Sequence, residues 1–188
     1  MRKLIRKLSD MRGISGFEYR LTDQIADMFK KYCDDVKIDS LGSVIAVKRS
    51  NKPNAPKLMI EAHCDEIGLI VTSITDEGYL TFANVGGVDE RTLPSNEVTV
   101  HGKEDLWGVI GIKPNYLLEQ GKTAKLKELA VDTGLSAEKV KELVAVGDSI
   151  TLAQSVGRLG KKQFSGKSLD DRASVAAIMR VMKNIKDL

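Results

Sequence analysis

The sequence has little cysteine and no long apolar run, which argues against a secreted or membrane-spanning protein. Its only two cysteines, Cys33 and Cys64, form neither a CxxC motif nor a disulfide framework, a usage that fits a reducing compartment. No apolar run approaches the roughly 20 residues that span a bilayer, and the N-terminal segment lacks an apolar core of signal-peptide length. We therefore expect a cytoplasmic protein without a membrane segment.

The sequence also lacks the charge pattern of a nucleic-acid-binding protein. It has 29 basic and 26 acidic residues, and no basic block is longer than a pair such as Lys161-Lys162. Aromatic residues make up 5% of the chain and do not alternate with basic ones, as they do in proteins that bind single strands. We expect no nucleic-acid partner. A composition of 42% hydrophobic and 29% charged residues is typical of a globular protein with one ordinary domain or two small ones.

The first 60 or so residues have the periodicity of an α/β region. Apolar residues at helical spacing predict two helices, and two short β-rich runs flank the turn Asp39-Ser40-Leu41-Gly42, a hairpin signal. The predicted helices lie within 4–8 and 19–29, and the predicted strands within 36–38 and 43–47. A nearly continuous apolar run at 58–62 then predicts a strand that is buried on both faces of a sheet.

From residue 68 to about residue 151, short β-rich runs alternate with Gly, Asp and Asn turns, which predicts a small barrel or sandwich. The clearest of these runs are 69–74, 79–83, 97–100 and 107–112. After this block, Asp170-Asp171-Arg172 precedes an apolar helical stretch at 175–185.

Charged residues interrupt the apolar stretch MIEAHCDEIGLIV at 59–71. His63 and Asp65 fall on one face of a strand, because strand side chains alternate with a period of two. An imidazole placed so can bind a metal through one nitrogen while a neighbouring carboxylate orients the ring. The same residues also fit a hydrogen-bonded surface histidine without a metal. Cys64 faces the other way and fits a small buried apolar residue better than a nucleophile.

The pair Asp170-Asp171 lies at a predicted helix start. A helix N-terminus can bind one carboxylate and leave the other free for a ligand. The alternative is a capping residue with a salt bridge to Arg172, which needs no functional role.

Taken together, these features resemble the N-terminal half of the deblocking or glutamyl aminopeptidases, the tetrahedral metallopeptidase family also called cellulase M. The matching motifs run in family order along the chain: Ser15-Gly16-Phe17-Glu18, Asp39-Ser40-Leu41-Gly42-Ser43-Val44, Ala62-His63-Cys64-Asp65-Glu66-Ile67-Gly68, Gly86-Gly87, Val109-Ile110-Gly111, Val146-Gly147-Asp148 and Gly166-Lys167-Ser168-Leu169-Asp170-Asp171-Arg172.

The resemblance implies an α/β fold with two domains. Residues 1–67 and 160–188 would form part of a zinc-peptidase-like α/β sheet, and residues 68–159 an inserted small β-barrel through which such proteins dimerise and form larger homo-oligomers. The implied activity is hydrolysis of N-terminal residues from peptides by a water activated by two divalent ions, Zn²⁺ or Co²⁺, with Mn²⁺ as a third candidate.

By the same resemblance, His63 is a ligand of one metal, Asp65 is the catalytic carboxylate that orients and polarises it, and Asp170 bridges the two ions. Asp171 and Arg172 are then structural neighbours of the bridging carboxylate. If this is so, His63 and Asp170 must lie close together in the fold although they are distant in sequence.

Other parts of the family's site have no counterpart in the chain. The general base and the metal ligand of a Glu-Glu pair, a further acidic ligand and a distal histidine cannot be assigned, and His101 is expected at the surface of the inserted domain. We therefore expect a truncated product or a fragment that binds metal weakly, or not at all, and is inactive alone.

Two further functions remain open from the sequence. One is a non-catalytic assembly or scaffold protein derived from the same family. The other, a glycosidase, would need a matched carboxylate pair, whereas Asp65 and Glu66 are predicted to face opposite ways.

Overall fold

The computed structural model describes residues 1–112 and 124–185, which fall into two compact units. Unit 1 consists of residues 1–66 together with the segment from residue 155 onward, and unit 2 of residues 67–154. Among the described residues, no helix combines the length and the apolarity needed to cross a bilayer.

The helices and strands follow one another in mixed order along the chain. The helices are α1 (Arg2–Ser9), α2 (Tyr19–Phe29), α3 (Ala137–Leu143) and α4 (Leu169–Asn184), with short 3-10 turns at Glu90–Thr92 and Leu126–Glu128. The strands are β1 (Asp35–Ile38), β2 (Val44–Val47), β3 (Gly68–Ile74), β4 (Leu80–Val85), β5 (Glu97–His101), β6 (Asp105–Ile112), β7 (Leu129–Asp132), β8 (Ser149–Leu152), β9 (Gly157–Leu159) and β10 (Gln163–Ser165).

Unit 1 is built around the apolar faces of α1, α2 and α4. These helices carry apolar residues three or four positions apart, so that one stripe of each can be buried. The core residues are Leu8, Met11, Leu21, Ile25, Phe29, Val175, Ala176 and Met179. The antiparallel hairpin β1–β2 packs one face on this core, and its turn is held by the Asp39 carboxylate, which accepts from the backbone N–H of Leu41 and Ser43.

The chain returns to unit 1 at residue 155. Strand β9 pairs with β10, antiparallel and with Gly157 opposite Ser165, so that the two strands form a hairpin in this unit.

The apolar run 58–62 is not the buried strand that its sequence predicts. No strand among the described residues pairs with it, and Leu58 and Met59 are 85% and 83% exposed. A strand of this composition is buried only where neighbouring strands and helices cover both of its faces. The described part of the chain supplies no such cover, so the prediction is wrong for this structure.

Unit 2 is a closed six-stranded barrel, which decides between the barrel and the sandwich left open by the sequence. Its strands follow the order β3-β4-β7-β6-β5-β8, and all neighbours that pair are antiparallel. The interior is aliphatic with one phenylalanine, and α3 adds Val140 and Leu143 to it. Closing the sheet leaves the barrel strands without the exposed edges of an open sheet.

The expectation that His101 lies at the surface is wrong. Its residue exposure is 3%, because β5 lies between β6 and β8 in the barrel. Nδ1 lies 2.7 Å from an Asp105 carboxylate oxygen, and Nε2 lies 3.0 Å from the Thr151 hydroxyl. Both ring nitrogens therefore have polar partners, as a buried histidine requires.

Candidate functional site

The structure brings His63 and Asp170 together in unit 1, although they are 107 positions apart. The Nε2 atom of His63 lies 3.2 Å from Oδ1 of Asp170, and the Nδ1 atom lies 2.7 Å from Oδ1 of Asp65. The side chains of His63 and Asp170 are 55% and 97% exposed, so the pair is open to water. This proximity is the one expected from the sequence motifs.

The start of α4 leaves the Asp170 carboxylate free to face His63. Asp170 and Asp171 have non-helical backbone angles, and Ser168 just before them has φ 58°, in the left-handed region. The regular helix therefore begins directly after the aspartate pair, a few residues before the stretch 175–185 that the sequence predicts to be helical. The alternative salt bridge between this pair and Arg172 is not the arrangement found, because the carboxylate lying 3.6 Å from Arg172 is that of Glu66.

Asp65 is held between His63 and Ser15. One of its oxygens contacts the imidazole, and the other accepts a hydrogen bond from the Ser15 hydroxyl. Burial alone would raise the pKa of Asp65, but the hydrogen bonds from Ser15 and His63 lower the pKa overall. Ser15 belongs to a motif that marked the resemblance, yet nothing in the sequence assigned it a contact with Asp65.

The surroundings of His63 favour its protonated form in the ion-free pair. Partial burial would lower the pKa of His63, whereas the hydrogen bonds and charges of Asp65 and Asp170 raise the pKa overall. When the ring is neutral, an Nδ1 proton donated to Asp65 leaves the Nε2 lone pair directed towards Asp170. That tautomer is the one a ligating histidine uses when a carboxylate orients it.

Arg172 joins the segments around this pair from within the core. Its guanidinium is completely buried and donates to the carbonyl oxygens of Cys64 and Leu8 at 2.7 and 3.0 Å, and to that of Met11. Gly13 accepts a longer bond of 3.4 Å. No pattern in the sequence indicates this role, because an arginine in a motif is equally compatible with a surface salt bridge.

Glu66, next to Asp65 in the sequence, is buried and pairs with Lys167 at 2.7 Å. Burial lowers the pKa of the Lys167 ammonium, and the Glu66 carboxylate partly offsets this effect. A carboxylate paired and enclosed in this way cannot act together with Asp65 as the acid and the base of a glycosidase. The geometry therefore gives no support to the glycosidase alternative.

The distance between His63 and Asp170 fits two neighbouring ligands in the coordination shell of one divalent ion. Two ligand atoms about 2.1 Å from a tetrahedral zinc are about 3.4 Å apart, close to the observed separation of 3.2 Å. Within residues 1–112 and 124–185, however, no group of three or more His, Cys, Asp or Glu side chains is arranged to hold an ion. Cys64 packs against the core, and burial raises the pKa of its thiol, which disfavours the ligating thiolate.

Comparison with known proteins gives a consistent result. The sequence profile of M42 glutamyl aminopeptidases matches residues 42–188. Lysyl aminopeptidase of Pyrococcus furiosus is 33% identical over 97% of this chain and 54% of its own length.

Solved structures agree over the same span. An aminopeptidase from the archaeon Desulfurococcus kamchatkensis is 35% identical, with a TM-score of 0.91 over 98% of this chain and 52% of that one. The TET1 peptidase of Pyrococcus horikoshii, which can assemble into a tetrahedron or a large octahedral shell, is 34% identical, with a TM-score of 0.86 over 98% of this chain and 56% of that one. The chain thus spans about half the length of these relatives, and it belongs to the M42 glutamyl aminopeptidase family.

Proposed function

We propose that the chain is part of a metal-dependent aminopeptidase in which His63 and Asp170 bind metal and Asp65 orients His63. The observation that carries this proposal is the approach of His63 Nε2 and Asp170 Oδ1 to 3.2 Å on a solvent-open surface. Membership of the M42 family supports the reaction class.

In the proposed reaction, the chain's residues hold and orient the groups around the reacting centre. Two divalent ions, Zn²⁺, Co²⁺ or Mn²⁺, supply Lewis-acid activation of a water for attack on the peptide carbonyl. Asp65 fixes the His63 ring through Nδ1, and Asp170 offers an exposed carboxylate to the same region. The substrate is a peptide with a free amino terminus.

The proposed site is incomplete within the described residues. A tetrahedral ion needs four ligands, and His63 and Asp170 supply two. We propose that the remaining ligands and the general base come from a segment corresponding to the other half of the relatives, so that this chain alone binds metal weakly and does not turn over.

We also propose that unit 2 mediates homo-oligomerisation in the cytoplasm. The assembly of the TET1 peptidase into shells supports this role, as do the exposed aromatic residues Trp107 and Tyr79, which are typical of interfaces. The free thiols of Cys33 and Cys64 are consistent with the location.

A second candidate is a non-catalytic assembly protein that keeps the closed barrel of unit 2. The two candidates differ in whether the His63–Asp170 pair binds metal.

A calorimetric titration of the chain with Co²⁺ tests the proposed site. We expect weak binding that falls by at least ~10-fold in His63→Ala and in Asp170→Asn, because loss of a partner that only orients a ligand already costs about that much. Glu61→Gln, an exposed acid in the same segment, is the matched control and should leave the affinity unchanged. Tight stoichiometric binding that survives His63→Ala would show that the assigned ligands are wrong.

A further inference from the structure

Glu66 makes more contacts than an ion pair requires. Its side chain is 3% exposed, and both of its oxygens are used. Oε1 accepts the backbone N–H of Gly13 at 3.0 Å, whereas Oε2 accepts from Lys167 Nζ at 2.7 Å and from the Ser168 hydroxyl at 2.6 Å. One carboxylate therefore joins three segments that are far apart in sequence.

Two of these segments carry the proposed metal ligands. Glu66 lies three residues after His63, and Ser168 lies two residues before Asp170. The third segment, which contains Gly13, also forms a backbone hydrogen bond with the segment of Glu66. The Glu66 N–H donates to the Gly13 carbonyl at 3.0 Å. The Glu66–Ser168 contact therefore joins the segment of His63 directly to the segment of Asp170.

The backbone conformation of Ser168 is an independent indication that the Glu66–Ser168 contact restrains this segment. A residue other than glycine at φ 58° is uncommon, and it persists when surrounding contacts hold it. The hydroxyl bond to Glu66, together with the Lys167 contact on the same oxygen, supplies such a restraint. The turn that presents Asp170 begins directly after this residue.

We propose that Glu66 is a positioning residue, which sets the separation of His63 and Asp170 through Ser168 and Lys167 without binding metal itself. This inference rests on the proposed metal role of the His63–Asp170 pair. Glu66 is 3% exposed and accepts hydrogen bonds on both oxygens from the protein itself, so it is not placed to offer an oxygen to an ion at the solvent-open pair.

Glu66→Gln in the full chain tests the proposal, because it keeps the shape and removes the charge that Lys167 and Ser168 contact. We expect its affinity for Co²⁺, measured by titration at a temperature at which circular dichroism shows it folded, to fall about tenfold. Ile25→Val, a buried change in the same core, is the control for lost stability and should keep the wild-type affinity. An equal loss of affinity in both variants overturns the inference.

Crystal structures of the metal-free wild type and of Glu66→Gln give a readout that does not depend on metal. In the wild type we expect the separation of 3.2 Å between His63 Nε2 and Asp170 Oδ1. In Glu66→Gln we expect this separation to be longer by more than about an ångström, or to differ between the molecules of the crystal. A folded Glu66→Gln protein with the wild-type separation overturns the proposal, whatever its affinity. Absence of Co²⁺ binding by the wild type would instead contradict the proposed function, and the separation alone would then decide the positioning role.

Ser168→Gly provides a second variant if Glu66→Gln does not fold. Glycine accepts the positive φ without strain and removes the hydroxyl, which donates to Glu66 at 2.6 Å and accepts from Lys167 Nζ at 3.3 Å. We expect a smaller loss of affinity and a smaller change of separation in the same direction. Unchanged values of both in Ser168→Gly would then count against the proposal.

Discussion

Replacing Arg172 by methionine is expected to destabilise unit 1 by about 3–5 kcal/mol, the usual cost of removing one partner from a buried ion pair. Methionine would leave the Glu66 carboxylate without its neighbouring guanidinium and would remove the donor that the carbonyl oxygens of Leu8, Met11 and Cys64 share. Buried acceptors left without a donor add to this cost. Urea unfolding followed by circular dichroism, with hydrogen exchange of peptides from residues 1–66 to identify the unit, measures the loss.

Two variants separate this effect from a general loss of positive charge. Arg180→Met removes an exposed arginine from the same helix and should change the free energy of unfolding by no more than about 0.5 kcal/mol. Arg172→Lys keeps the charge but has a single nitrogen, so an intermediate loss is expected. An unfolding midpoint of Arg172→Met equal to that of the wild type would mean that the buried contacts do not hold these segments together.

The metal-loaded chain is expected to hydrolyse aminoacyl p-nitroanilides at least about 100-fold more slowly than a complete relative, because a positioned general base contributes about 10²–10⁴-fold to such reactions. Neither acidic residue that follows His63 is free to act as that base. Asp65 is hydrogen-bonded to the His63 ring and to the Ser15 hydroxyl, and Glu66 is buried and paired with Lys167. Lysyl aminopeptidase of Pyrococcus furiosus, assayed in parallel, provides the reference rate.

The same assay distinguishes the enzyme from the assembly protein. Adding a purified segment that corresponds to the other half of a relative should restore hydrolysis if the chain supplies half of a peptidase site, and His63→Ala should abolish the restored rate. Stable oligomers without restored hydrolysis would favour the assembly role. Fast hydrolysis by the chain alone, lost in His63→Ala, would contradict the proposal that the site is incomplete.

The local parts of the fold could be predicted from the sequence. The hairpin turn at Asp39 and Gly42 is encoded by adjacent residues, and the alternating β-rich runs predict a small barrel or sandwich, of which unit 2 is the barrel. The period of two along the 63–66 segment predicts that Asp65 and Glu66 face opposite ways, and in the structure the two carboxylates have different partners, Ser15 for Asp65 and Ser168 for Glu66. These features depend on neighbours in the chain.

The features that could not be predicted depend on distant partners. The composition of the 58–62 run indicated a buried strand, but burial requires neighbouring elements that the described chain does not supply. His101 is buried because β6 and β8 flank its strand, and Arg172 finds the Leu8 carbonyl 164 positions away. Periodicity shows which face of an element is apolar, whereas it does not show which groups will meet that face.

Anomalous diffraction from crystals of the chain soaked with Zn²⁺ or Co²⁺ is the most direct test of the central claim that His63 and Asp170 form one metal-binding surface. We predict an anomalous peak in contact with Nε2 of His63 and the Asp170 carboxylate, with Asp65 still bonded to Nδ1 of the ring. A peak bound by other side chains, with none at this pair, would contradict the claim.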